Sequence, residues 1–479
     1  MFKKLLFTSL FLINLISYAQ NSVLVTPLEL KNNRNVFQTV NAEKKEVTLF
    51  ISDKEKIKAL QLNENFQIKD SISELRPDKK YTEIIGYNIK NDNTRLYWSS
   101  NDRKKILSQL YDFESHKTST TEHELALNKE KVVQEFSSKD NFYILTILKN
   151  SNIFNLHIFD KEGRYMVKSI DLSSFHFFRY GYTKTNLSGV FEENLLPFEN
   201  SYSLQNINAD TPASLANTAK KRKCYFTNNQ IIITLDKNVD YTQVIIIDLE
   251  NYTAQEKIVQ KHTIPADDRS FQNSNSFFFN DKLLQIKSSS NLLYFTIKDL
   301  DNNIIKEYTA NATTPIDFKN SQIYQEGGDF GGKRILEKSS QFIRKVNNLH
   351  SGISCYYIGE NMLVTLGGIS ETHQTTGQLI LASQFGLIGG LLATTVFNPT
   401  MQSFNSYENK KVVKIEGLFD KEGNHVEGEL APLAFDKIRT IFDNYKDVSS
   451  QTIFKVENTY YLGYYDNQTK NYIIRSFID

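Results

Sequence analysis

The chain has 479 residues, 56 Lys and Arg against 55 Asp and Glu, and two cysteines. A balance this close to neutral argues against a nucleic-acid partner, for which a basic face is expected. Two cysteines exclude a disulfide framework.

The first residues, MFKKLLFTSLFLINLISYA, combine a basic start at Lys3 and Lys4, an apolar core from Leu5 to Ser17, and small residues at Ser17 and Ala19 ahead of Gln20. This is the pattern of a secretory signal peptide, residues 1–19, whose apolar run falls short of the ~20 residues of a bilayer crossing. No Cys follows the core, so the expectation is an exported mature chain from about Gln20 without an N-terminal lipid. Removing Lys3 and Lys4 takes the basic count from 56 to 54, one below the 55 acidic residues.

From Ser22 onward one unit recurs: an apolar strand, a short polar turn, a second strand ending at Asp, and a further strand. It is clearest in NFYILTILKNSNIFNLHIFDKEGRYMVKSIDLS, Asn141 to Ser173, where alternation predicts half-buried antiparallel strands. FDKEG occurs twice, at Phe159 to Gly163 and Phe419 to Gly423. Its Asp favours the start of a turn and its Gly supplies a positive φ. Related strand ends at Asp70, Asp112, Asp160, Asp248, Asp299, Asp420 and Asp466 are separated by 42, 48, 88, 51, 121 and 46 residues. The spacing predicts a unit of about 40 to 50 residues, with 88 near two units and 121 holding one unit plus extra chain.

Just before the first break in this rhythm, FHFFRYGY (Phe175 to Tyr182) places Phe175, Phe177 and Arg179 on one side and His176, Phe178 and Tyr180 on the other, which predicts a buried strand. Thr183 to Lys223 is then polar and reads as a degenerate unit or a long surface connection. Its end, KKRK (Lys220 to Lys223), reads as a solvated loop ahead of a strand. Cys224 and Cys355 sit at the edges of strand-like runs in units that should not be neighbours, which predicts two buried free thiols, with a single bridge as the alternative. DLDNN (Asp299 to Asn303) has the first oxygen positions of a calcium loop but neither its glycine nor its acidic twelfth residue, and so predicts a hairpin turn.

The second break runs from Tyr324 to Lys411. Gly327 to Lys333 matches G-x-x-x-x-G-K, but Arg334 stands where a phosphate loop needs Ser or Thr, so the stretch predicts the start of a helix. Ile335, Leu336, Phe342, Ile343 and Val346 have the spacing of its apolar face. Further on, no charged residue occurs between Glu371 and Glu408.

Leu379 to Phe397 in that uncharged stretch would be about 28 Å long as a helix, enough for a bilayer. However, Asn361 to Leu366 and Lys411 to Asp420 read as successive strands of one sheet, which a single crossing would split. A helix with Ala382, Gly386 and Gly390 on one smooth face, or a hairpin turning at Gly389-Gly390, remains. Nine side chains, Leu379, Ile380, Leu381, Phe385, Leu387, Ile388, Leu391, Leu392 and Val396, carry roughly 13 to 27 kcal/mol of burial at ~1.5 to 3 kcal/mol each. The segment must be covered. Where the rest of the chain does not cover it, Leu379, Ile380, Phe385, Leu387, Ile388, Leu391, Leu392, Val396 and Phe397 are the expected contact with a partner or a lipid surface.

The repeated unit resembles the blade of a β-propeller, and the abundance of Lys, Asn, Ile, Phe and Tyr resembles exported proteins of Bacteroidota. The resemblance covers about Ser22 to Asp479. It implies an all-β fold of seven blades, with six and eight as neighbouring counts, and a short helical or apolar insertion in a late blade. It further implies a single domain over 20–479 with insertions at about 183–223 and 324–411; serial β-sandwiches are the competing architecture. RLYWSSNDRKK (Arg95 to Lys105) is similar to one repeat of TolB-like propellers, but no WD, kelch or Asp-box series accompanies it.

The eight histidines are dispersed, and neither H-E-x-x-H nor G-x-S-x-G occurs, so no catalytic residue, cofactor or metal is expected. The expected function is that of an exported, non-catalytic binding or scaffold component of the bacterial cell envelope, in the periplasm or at the outer-membrane surface. It would have an envelope protein partner, no nucleic acid, no transmembrane span in the mature chain, and peripheral membrane contact as another way to cover the apolar segment. The competing reading is a glycan-processing or glycan-binding propeller with acids gathered in its central funnel.

Overall fold

The structure, a computed structural model, describes residues 22–29, 31, 35–179, 182–227, 229–265, 268, 271–327, 332–371, 398–405, 410–445 and 447–479. Seven sheets of four or five strands are arranged as the blades of a β-propeller. Blades one, two, three and five are four-stranded antiparallel meanders over 35–75, 83–124, 130–171 and 273–311, and blade four spans 222–260 with one added strand. Within a blade the second strand is almost wholly buried, as in Glu46–Ser52, while the last is mostly exposed, as in Lys117–Glu124. Radial stacking explains the gradient: inner strands pack on neighbours through both faces, and only the outermost strand meets water.

The ring closes through the beginning of the chain. Val448–Val456, Thr459–Asp466 and Asn471–Phe477 form three strands of blade seven, and Ser22–Pro27 is the fourth, antiparallel to the last of them. Blade seven then packs on blade one through Val47, Leu49, Leu60, Phe454, Tyr472 and Ile474.

The extra chain between Asp160 and Asp248 is not a second blade. It contains a two-strand pair, Phe177–Phe178 with Lys184–Thr185, helix α1 (Leu187–Glu192), the strand Gln205–Ile207, and helix α2 (Leu215–Thr218). Gln205–Ile207 adds to the inner edge of blade four in parallel with Arg222–Phe226. FHFFRYGY is therefore not a continuous buried strand: Phe177 is buried, but Tyr182 is largely exposed and donates to Asp240.

Blade six is permuted. Its inner three strands are His350–Ile358, Asn361–Glu371 and Lys410–Phe419, whereas its outer positions are filled by upstream chain, Ile323–Glu326 and Lys333–Leu336. Gly327 donates to Gly332 O between those two short strands, so the glycine-rich stretch closes a hairpin rather than starting a helix. Helix α3 begins only at Ser339 and runs to Asn348. Phe342, Ile343 and Val346 are its buried face as expected, but Leu336 belongs to the edge strand and Ile335 points to solvent. Chain later in the sequence supplies α4 (Pro399–Asn405) and α5 (Ala434–Asn444). Cys224 and Cys355 are buried free thiols.

The recurring Asp has a consistent role, with Asp70 as the exception inside a strand. Asp112, Asp160, Asp248, Asp299, Asp420 and Asp466 end strands and cap the turn that follows; Asp299 Oδ1, for example, accepts from the amides of Asp301 and Asn303. DLDNN is thus a hairpin turn. In both FDKEG copies the glycine has positive φ, +80° at Gly163 and +85° at Gly423, and donates to the Asp carbonyl.

Both copies also dock on the preceding blade. Asn88 and Arg95 of blade two donate to Asp160 O and Glu162 O, and the Tyr308 hydroxyl of blade five donates to Gly423 O. A Cβ on Gly423 would lie 2.9 Å from Ile297 Cδ1. Gly423→Ala therefore combines left-handed strain with a clash between blades. It is expected to lower stability by about 1 to 2 kcal/mol, measurable as a lower urea midpoint at unchanged slope.

Candidate functional site: the ring axis and the cleft beside blade six

The two stretches that interrupt the repeat meet at the centre of the ring. Ser214 N donates to Ser403 Oγ, Ser403 Oγ donates to Pro212 O, and Thr400 donates to Thr211. Helix α2 is seated on blade six because two strand positions there are glycine. A Cβ on Gly352 would approach Leu215 at 3.2 Å, and one on Gly367 would meet it at 2.7 Å.

KKRK holds this insertion in place and is not a solvated loop. Arg222 and its partner Glu199 have side chains only 1% exposed, with Nε 2.9 Å from Glu199 Oε1. The same guanidinium donates to Phe191 O, Val190 O and Asn200 O, so it satisfies carbonyls at the end of α1 where the helix dipole favours a cation. The glutamate also accepts from the amides of Lys221 and Arg222.

One residue further on, the fully buried Lys223 ammonium donates to Asp236 (2.9 Å), Asn275 Oδ1 (2.7 Å) and Lys220 O (2.8 Å). Lys261 reaches the other oxygen of Asp236 at 3.0 Å, and Thr242 and Ser276 donate to the same carboxylate. The run is buried because Glu199 of the insertion and Asp236 of blade four supply its charge partners and Ser274 and Asn275 of blade five its polar ones, which a reading of local composition does not reveal.

Burial works to raise the Asp236 carboxyl, but Lys223, Lys261 and the Ser276 hydroxyl overcome it and hold it well below the carboxylate range. Lys221 has a weaker arrangement. It donates to Ser274 O, and burial together with the charge on Lys261 brings its ammonium down to about 7 despite Asp236.

Around this anchor are two cavities. The first, about 500 Å³, lies on the axis and is bounded by inner strands of blades one, two, six and seven through Gln38, Tyr87, Tyr357 and Phe454, and by Asp210, Thr211 and Asn398 of the crossing stretches. Its two carboxylates are Asp210 and Glu457; Glu457 is paired with Lys45 at 2.8 Å.

The second, about 390 Å³, opens between blade six and α5. One face of the blade-six sheet forms its wall. Ser354 and Tyr356 lie opposite Thr365 and Leu363, Thr365 lies opposite Glu416, and Lys414 lies opposite Tyr324.

The remaining blade interfaces are filled by apolar side chains. Between blades six and seven, Met401 of α4 and Phe435, Ile438 and Ile441 of α5 pack on blade seven instead. The blade-six face is left polar. Lys414 pairs with Glu416 at 2.8 Å, Lys333 with Glu326 at 3.4 Å and Arg439 with Asp436 at 3.5 Å. The Tyr356 hydroxyl is buried there with no hydrogen-bond partner among the described residues.

The contact residues expected from the sequence, Leu379, Ile380, Phe385, Leu387, Ile388, Leu391, Leu392, Val396 and Phe397, lie outside the described residues. Their flanks are described. Asn361–Glu371 pairs with Lys410–Phe419 from Met362 opposite Phe419 to Glu371 opposite Lys410, so the uncharged stretch leaves and rejoins blade six at the same end of the sheet. On its return, Asn398 lines the axial cavity and Ser403 lines the cleft. Among the described residues no helix is long and apolar enough to cross a membrane, and no group of three or more His, Cys, Asp or Glu side chains is placed to hold a metal ion.

The sequence matches no protein-family model and no curated protein. Among solved structures, a member of the DUF4221 family from Bacteroides vulgatus is similar over 96% of this chain and 99% of its own, at 9% identity and a TM-score of 0.33. The Nup133 β-propeller domain of Vanderwaltozyma polyspora is similar over 94% and 97%, at 10% identity and a TM-score of 0.34. Likenesses this distant add nothing to the strand pairing, which by itself defines the propeller.

The anchor has two pH windows. Asp236, with its pKa depressed on folding, contributes stability that is present above the unfolded value of about 3.9 and is lost as pH falls below it. Asp236→Asn strands two buried ammonium groups and is expected to cost about 3 to 5 kcal/mol at pH 7 in denaturant titrations. Lys221, lowered to about 7, acts oppositely. Between about 7 and the unfolded value of about 10.4 the unfolded chain binds more protons, so this residue's contribution improves as pH rises through that window. Lys221→Met should therefore raise the unfolding free energy at pH 6 by about 2 kcal/mol in denaturant titrations, and lose that advantage by about pH 10.

Proposed function

We propose that this chain is an exported, non-catalytic β-propeller that serves as a binding or scaffold component of the bacterial cell envelope, with the uncharged stretch that includes Leu379 to Phe397 as its contact surface. The observation that supports this most directly is the pairing of Glu371 with Lys410. A stretch whose flanking residues are paired at one end of a sheet is tethered to a fixed frame, and its apolar side chains require a cover. The frame is held at both ends, since Glu371 closes a blade-six strand before the stretch and Asn398, after it, donates to Thr452 and Ile453 O of blade seven. The N-terminal pattern supports export, and the first strand of the ring begins at Ser22, just beyond the expected cleavage point.

Replacing residues 377–397 with a short Gly-Ser linker should leave the urea midpoint within about 1 kcal/mol of wild type, because the described core is untouched. Partners cross-linked to the wild-type chain in intact envelopes should be lost. Unchanged cross-linked partners would defeat the reading. Export has its own readout: Edman sequencing of the secreted chain is expected to begin at Gln20, and recovery of the intact N-terminus from the cytoplasmic fraction would refute it.

A further inference from the structure

We infer that the cleft between blade six and α5 is a binding site for a small zwitterion, a free amino acid or a short peptide with both termini unblocked. The inference starts from an exception in the packing. The six other blade boundaries are sealed with aliphatic and aromatic side chains, whereas this one presents Ser354, Tyr356, Thr365, Lys414 and Glu416 to a cavity of about 390 Å³. That size suits a ligand from one amino acid to a few residues.

Tyr356 is only 4% exposed, yet its hydroxyl has no protein partner among the described residues. An orphaned polar group of this kind is costly unless something else supplies its hydrogen bond. Burial, followed by the acidic neighbours Asp479 and Glu416, holds the phenol protonated, so it remains a donor.

The charge pattern selects the ligand class. Lys414 and Glu416 lie deep, each less than 20% exposed, while Lys333 with Glu326 and Arg439 with Asp436 are more exposed and mark the mouth. An anion would face three carboxylates and a cation three basic groups, and an apolar ligand would desolvate all six. A molecule with both charges meets partners of each sign. Tyr324, Phe435 and Leu363 in the same wall provide apolar surface for its side chain.

Calorimetric titration of the full mature chain with L-alanine, L-phenylalanine and tri-L-alanine, alongside their N-acetylated and C-amidated forms, tests this. Saturable binding by a free-ended compound is expected, abolished when both ends are blocked. Tyr356→Phe should weaken it roughly fivefold or more with no loss of thermal stability, because the substitution removes only the orphaned hydroxyl. Arg439→Ala and Lys333→Ala, at the exposed mouth, should weaken binding without disturbing the fold, which keeps the test decisive if the tyrosine variant misfolds. Absence of binding by all three free-ended compounds up to about 10 mM, equal binding of blocked forms, or unchanged affinity in the mouth variants would overturn the inference.

Discussion

The ring depends on one pairing above all, that of Ser22–Pro27 with the strand Asn471–Phe477. A single blade cannot bury both of its apolar faces, so each sheet is stable only between two neighbours. Blades two to six receive those neighbours from consecutive chain, whereas blades one and seven must find each other across almost the whole sequence. Taking the outer strand of blade seven from the beginning of the chain makes the last blade incomplete until the ring is shut. Closure also fills the boundary where Phe66 stacks on Tyr461 at 4.1 Å.

Once the ring is shut, its centre has to be occupied or hydrated, and this chain fills much of it with its own irregular stretches. The cost is a set of polar backbone groups deep in the protein, and the buried cations answer it. Arg222 caps the end of α1, Lys223 satisfies the carbonyl of Lys220, and Lys261 satisfies that of Asn238. Glu199 and Asp236 compensate the charge. Asn275 extends the seam by donating to Ala219 O and Ser351 O, which joins blades four, five and six around α2. Such networks specify one arrangement because each member left unpaired would be expensive.

The propeller was legible because its signals are local. Alternation within strands, Asp at strand ends and glycine after it recur at blade spacing, and the structure uses them for the hairpin turns that the sequence predicts. What was hidden is relational. KKRK looks like surface, since nothing nearby announces Glu199, Asp236 and Asn275 as partners. The 88-residue interval looks like two blades because length alone does not distinguish a sheet from α1, α2 and an added strand. Gly327 to Lys333 gives no sign that Lys333–Leu336 is needed as an edge strand. Tyr356 could not be selected by pattern, because an orphaned hydroxyl exists only once its surroundings are folded.

The second FDKEG shows how permutation of blade six creates the cleft. In blade three the motif turns the chain into the outer strand, Tyr165–Asp171. In blade six the same turn forms, yet only the bridge between Phe419 and His425 follows it, because Ile323–Glu326 already occupies that side of Lys410–Phe419. The displaced chain instead continues to α5, whose apolar face packs on blade seven. Blade seven is thereby covered by a helix rather than by the neighbouring sheet. Blade six, relieved of that contact, no longer has to be apolar on its facing side, and Lys414, Glu416 and Tyr356 occupy positions that a close-packed boundary would reserve for aliphatic residues.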